Sequence, residues 1–245
     1  MKRFILASFS LLFALGQAPS QAAEIPAAPA DSWPMYRGTA SLTGLSKSKL
    51  SSSLKQLWAF KAEEGIHGTA AIADGRVFVG CDDGKLYALD FKTGKQIWSF
   101  KTEDIVESAP LVRDGKVYFG SSDCFVYALD AKDGKLLWKF ETEDRVLGAP
   151  NFFQPKGKDA KPSLIVGSYD FKLYAFDPVT GKKKWDYETS NYINGSPAVF
   201  SGRTAFGGCD ALLHVIDLNA GKKQKQIDAE AYIIGSATRP LTASP

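Results

Sequence analysis

The sequence predicts an all-β protein, a β-propeller of four-stranded antiparallel blades. Three observations predict it. A unit ending Leu-Tyr-Ala-Leu-Asp recurs with its last residue at Asp90, Asp130, Asp177 and Asp217, in steps of 40, 47 and 40 residues. Independent columns keep that register: Gly80, Gly120, Gly167 and Gly207; Asp83, Asp123, Asp170 and Asp210; Gly94, Gly134, Gly181 and Gly221. Each unit also holds four short runs rich in β-branched and aromatic residues, apolar on both faces, so both faces of each sheet must be covered. Stacking such meanders around an axis covers them, and a period near 40 is that of a propeller blade.

The chain opens with Met1-Lys2-Arg3 and an apolar stretch from Phe4 to Leu15, then small and polar residues to Ala22. Residues 1–22 are read as a secretory signal peptide, too short in its apolar part to span a bilayer. A soluble periplasmic or secreted protein is expected, with no membrane span. Residues 23–53 form a lead-in segment, and 54–237 hold the repeats, beginning with Leu54–Ala62, which resembles the outer strand of a preceding blade. Four complete units start near Gly68, Ser108, Gly148 and Gly195. The one long step comes from Gln154–Pro162, a polar surface insert. A fifth unit starts at Gly235, but residues 238–245 leave the template. This off-template tail reads as a truncation of a seven- or eight-bladed ring, whose open edges would invite self-association.

The recurrent polar residues fit turn chemistry. Asp90, Asp130, Asp177 and Asp217 each precede a glycine by four residues, so that Asp bonds the turn backbone and Gly94, Gly134, Gly181 and Gly221 accept positive φ. Trp98, Trp138 and Trp185 follow those glycines by four, and Trp58 stands at the matching place upstream. These rings are expected on outer strands against the next blade. Lys225 replaces the tryptophan in the last unit. His214, in place of a strand tyrosine, reads as structural. The column from Asp83 to Asp210 supplies one carboxylate per turn, too few oxygens for calcium. Cys81, Cys124 and Cys209 form no Cys-x-x-Cys pair and read as small buried residues, so no metal site is expected. With Lys2 and Arg3 removed from 30 Lys and Arg, against 27 Asp and Glu, the net charge falls from +3 to +1. Bulk charge of that size excludes attraction to nucleic acid or acidic membranes.

The columns Gly-x-x-Asp-x-x-x-Tyr-Ala-Leu-Asp-x-x-x-Gly-x-x-x-Trp resemble the repeat of pyrroloquinoline-quinone-like (PQQ-like) propeller proteins. Trp33-Pro34-Met35-Tyr36-Arg37-Gly38 is similar to the lead-in of bacterial members. The resemblance implies three subgroups. Quinoprotein dehydrogenases would need a vicinal disulfide and calcium beside a catalytic Asp, and no Cys-Cys occurs here. The lipoprotein subunit of the outer-membrane β-barrel assembly machinery only binds partners, but its lipidated cysteine has no counterpart. Exported propellers of unassigned role resemble this chain most.

A site is sought where blades differ chemically while geometry repeats. His67, Glu107, Leu147, Asn194 and Ile234 form such a column on the loops crossing between blades, expected at the mouth of the central channel. Around it Glu64, Asp104, Asp144, Arg145, Asn191 and Tyr192 make a mostly acidic and amide rim. The rim candidates are His67, Glu107, Arg145 and Asn194, for a protein or small ligand. No catalytic triad, zinc spacing or phosphate loop is present. The expectation is a non-catalytic scaffold without cofactor. The alternatives are a fragment of a PQQ-dependent dehydrogenase, binding the quinone with calcium, or a remnant of a longer gene.

Overall fold

A computed structural model describes residues 32–46, 48–49, 51–157, 159–233 and 235–236. The expected signal peptide, residues 23–31 of the lead-in, Ile234 and the tail 238–245 lie outside them. Among the described residues, sixteen strands form four antiparallel sheets, each a meander in sequence order. The first blade comprises β1 (Ala71–Ala73), β2 (Arg76–Gly80), β3 (Lys85–Asp90) and β4 (Gln96–Lys101). The second comprises β5 (Leu111–Arg113), β6 (Lys116–Gly120), β7 (Phe125–Asp130) and β8 (Leu136–Glu141). The third comprises β9 (Asn151–Phe153), β10 (Ser163–Gly167), β11 (Lys172–Phe176) and β12 (Lys183–Glu188). The fourth comprises β13 (Ala198–Phe200), β14 (Arg203–Gly207), β15 (Leu212–Asp217) and β16 (Lys222–Asp228). The described residues contain no helix.

Three turns make each meander, and the first and third of them follow recurring residue types. Asp74-Gly75, Asp114-Gly115 and Ser201-Gly202 hold two successive positive φ angles, which matches the twist of a two-residue hairpin. The insert replaces this turn in the third blade. The β3–β4 turn is closed by Asp90, whose Oδ1 accepts from Lys92 N, Thr93 N and Thr93 Oγ1 at 3.1, 2.8 and 2.7 Å. Asp177 and Asp217 cap their turns in the same way, and Asp130 Oδ1 accepts from Lys132 N.

Each blade locks onto the next through its outer strand. A register shift in every outer pairing, between Ala88 and Leu89 in the first blade, bulges the strand there. In β4 and β8 the tryptophan beyond it is buried. Trp58, Trp98, Trp138 and Trp185 then lie over Gly94, Gly134, Gly181 and Gly221 of the following blade, where an added Cβ would meet the ring at 2.5 to 2.8 Å. Trp58, Trp98 and Trp138 donate through Nε1 to the carbonyls of Phe91, Ala131 and Pro178. Lys225 ends the series, on a strand exposed along its whole length.

A second interlock joins the loops. Gly80 and Gly120 admit the backbone and side chains of Val106 and Val146, while Gly167 and Gly207 seat Ile193 and Ile233. The turn between the second and third strands of each blade, called its β2–β3 turn by the first blade's labels as the β1–β2 and β3–β4 turns are, is stitched to the crossing loops on both sides, as in Asp82 N to Gly65 O (2.9 Å) and Val106 N to Cys81 O (3.1 Å).

The lead-in has a role that its sequence did not announce. Inner strands pair on one edge only, leaving the middle N–H of each without a ladder partner. Ile72 N, Val112 N and Val199 N donate to the carbonyls of Trp33, Pro34 and Ala40 at 2.7 to 2.8 Å. In the third blade Asn151, fully buried, accepts Phe152 N on Oδ1 and donates through Nδ2 to Ala40 O, both at 2.7 Å. Met35 and Leu42 are buried in the cluster shared with Tyr118, Phe152 and Phe176. Residues 33–44 therefore cover the free edges of three inner strands and reach the fourth through the Asn151 side chain, on the side a propeller turns to its axis.

Residues 54–62 depart from expectation. Trp58 and Phe60 dock on the first blade, Phe60 with its ring 5.1 Å from that of Tyr87, but the segment is not a strand. Among the described residues no strand hydrogen-bonds to it as a ladder partner.

Candidate partner-binding face

Meander connectivity gathers the crossing loops and β2–β3 turns at one end of the strands. Much of the acidic rim expected there is internal wiring. Asp104, Asp144 and Asn191 each turn a side-chain oxygen onto the following backbone N–H at 2.7 to 2.8 Å. Their carbonyls accept from Thr102, Thr142 and Thr189, whose hydroxyls also bond the turns at Gly84, Cys124 and Phe171. This threonine column went unread in the sequence.

The Asp column is equally occupied. Asp83, Asp123 and Asp170 accept the hydroxyls of Tyr87, Tyr127 and Tyr174, at 2.6 Å in the latter two, and a backbone N–H two residues on. Burial first, and then the bond to Asp83, pushes Tyr87 up to about 12. In the fourth blade His214 takes the tyrosine's place, with Nε2 2.8 Å from Asp210 Oδ2 and both side chains buried. Its Nδ1 lies 3.1 Å from Tyr187 Oη of the preceding blade, where the other junctions hold a Phe facing a Tyr.

What remains variable is two facing columns. His67, Glu107, Leu147 and Asn194 stand on the crossing loops, and Asp82, Ser122, Tyr169 and Cys209 on the β2–β3 turns. The structure joins two of these pairs directly: His67 Nε2 lies 3.0 Å from Asp82 Oδ2, and Asn194 Nδ2 3.0 Å from Cys209 Sγ. Asp82 Oδ1, Ser122 Oγ and Asn194 Oδ1 are buried without a partner. Unpaired buried polar atoms of this kind are costly.

Arg145 belongs to a cluster that periodicity could not reveal. Its guanidinium lies 4.9 Å from the Tyr169 ring centre, Tyr169 stands 4.9 Å from Tyr192, and Tyr192 meets Phe171 edge-on at 5.2 Å. Tyr192 is 41% exposed. Burial raises the Tyr169 hydroxyl above the usual phenol range, with Arg145 opposing and Cys209 and Glu107 adding to the rise.

Among the described residues, the Asp column does not fit the calcium of a calcium-bound quinone. The Asp column is engaged by tyrosine, histidine and backbone donors, and among the described residues no three His, Cys, Asp or Glu side chains come together as metal ligands. The three cysteines are free. Burial raises the thiols of Cys81 and Cys124 above their usual range.

A family profile described as outer membrane protein assembly factor BamB matches residues 51–224. No curated protein matches the sequence. Among solved structures, BamB from Moraxella catarrhalis is 25% identical with a TM-score of 0.59, covering 69% of this chain and 52% of that one. Quinohemoprotein alcohol dehydrogenase from Comamonas testosteroni is 19% identical with a TM-score of 0.66, covering 84% of this chain and 42% of that one. The second likeness shows the fold alone, and the chain spans about half the length of the first protein. The matching profile carries the description of the assembly subgroup, whereas the sequence by itself favours exported propellers of unassigned role. With its four PQQ-like-repeat blades, the chain belongs to the family described as outer membrane protein assembly factor BamB.

Proposed function

We propose that the chain is a non-catalytic scaffold of the cell envelope that takes a protein partner on its crossing-loop face, around Arg145, Tyr169 and Tyr192. One observation carries the reading: an exposed aromatic and guanidinium cluster sits on loops held rigid by the backbone interlock. Tyrosine and arginine on a preorganised surface are the side chains that dominate binding energy at protein interfaces. The description of the family, in which partners are assembled rather than transformed, supports it, and so does the engagement of every column Asp within the fold. Periplasmic residence follows from the expected signal peptide.

Site-directed photocrosslinking in cells tests the proposal. A crosslinker at Tyr192 should capture a defined outer-membrane assembly component, while one at Leu137 on the outer strand should not. Equal yields at both positions would overturn it. A titration of the folded chain with PQQ and calcium separates the dehydrogenase reading, since saturable binding would replace the scaffold with a cofactor protein.

A further inference from the structure

The near-zero net charge hides a division by face. The β1–β2 and β3–β4 turns lie at one end of the strands, and the β2–β3 turns and crossing loops at the other. At the first end, residues 73–76, 90–96, 113–116, 130–136, 153–157, 159–163, 177–183, 200–203 and 217–222 hold thirteen Lys and Arg against eight Asp and Glu. At the second, residues 62–71, 80–85, 101–111, 120–125, 141–151, 167–172, 188–198, 207–212 and 228–233 hold four against sixteen. Strands of this length set the ends ~17–20 Å apart, about two Debye lengths at physiological ionic strength. Each end therefore presents its own field, and the exclusion drawn from bulk charge does not hold for either.

The basic end is built by the repeat itself. Lys95, Lys135, Lys182 and Lys222 follow the turn glycine in every blade, and all four are exposed. Lys135 pairs with Asp133 at 2.8 Å, while Lys95, Lys182 and Lys222 form no ion pair among the described residues. Apolar side chains stand at the same tips: Val179 is 65% exposed and Phe91 36%. Lysines around exposed apolar tips suit a bilayer interface, where the charges meet headgroups and the apolar groups enter the acyl boundary. Phosphates of a nucleic acid would use the lysines and leave Val179 in water.

We propose that this turn face binds a lipid bilayer carrying anionic headgroups, leaving the acidic crossing-loop face turned away toward its partner. The inference stands independently of the partner reading, because it uses the opposite end of the blades.

Sedimentation of the purified chain with vesicles tests it. The chain should bind phosphatidylcholine vesicles containing phosphatidylglycerol, release them in high salt, and ignore pure phosphatidylcholine. Each lysine near an anionic surface contributes about fivefold, so replacing Lys95, Lys135, Lys182 and Lys222 together by Gln should weaken partitioning by more than about 100-fold. All four sites are exposed, and unchanged circular dichroism would confirm that the variant folds. Val179→Asp alone should also weaken vesicle binding. Failure of the folded chain to bind phosphatidylglycerol vesicles, or binding unchanged in the lysine variant, would overturn the proposal. So would equally tight binding to duplex DNA that Val179→Asp leaves intact, which would mark the face as a general polyanion surface.

Discussion

The indole of Trp98 lies so close over Gly134 of the next blade that an added Cβ would stand 2.8 Å from its Cδ2 and Cε3 atoms. Gly134 also sits at φ 74°, so two separate demands select glycine. Gly115 has a similar φ of 70° and nothing within 4 Å of an added Cβ. Gly115→Ala should cost the left-handed term alone, about 1–2 kcal/mol. Gly134→Ala should cost about 1–3 kcal/mol more, because the ring must move off the turn. Urea denaturation of the two variants checks this, and equal losses would mean the contact is loose.

His214 should be replaceable by the residue of the other blades but not by its apolar analogue. His214→Tyr puts a hydroxyl back on Asp210 and loses the Nδ1 contacts to Tyr187 and Gln226, at about 1 kcal/mol. His214→Phe leaves a buried carboxylate with the Leu212 N–H as its remaining donor, at about 3 kcal/mol or more. Thermal denaturation of both variants should separate them, and a tolerated His214→Phe would mean that Asp210 does not need the imidazole.

Asn151 ties the lead-in to the third blade. Asn151→Ala strands Phe152 N and removes one donor from Ala40 O, at about 2–3 kcal/mol for the buried groups. Hydrogen exchange should show faster exchange at Val112 and Val199, whose amides rest on lead-in carbonyls. Unchanged exchange there would mean the segment is held without Asn151.

The blades should lose stability in alkali. Tyr87 is held at about 12, and burial followed by the aspartate bond raises Tyr127 and Tyr174 above the usual range as well. An unfolded tyrosine ionises near ~10, so above that pH the unfolded chain releases protons that the folded chain keeps. Stability from these groups is complete below about pH 10 and falls as pH rises through about 12. Melting temperatures measured across this window should drop for the natural chain and drop less for a variant with all three tyrosines changed to Phe.

How much was legible depends on how far apart the interacting residues stand in the chain. Asp90 and Gly94 close a turn within five residues, and the forty-residue period repeats that turn, so sequence alone determined the blades, their turns and their tryptophan column. Only the tertiary structure decided what those columns touch. Asn151 reaches Ala40 across 111 positions, so no repeat column records why it is Asn or why the lead-in lies along the inner strands. The cluster of Arg145, Tyr169 and Tyr192 comes from three different loops, and the basic and acidic ends emerge when antiparallel strands sort alternate turns to opposite sides. A repeat specifies one blade, whereas the surface between blades is specified by residues that differ from the repeat, and their partners appear when the chain folds.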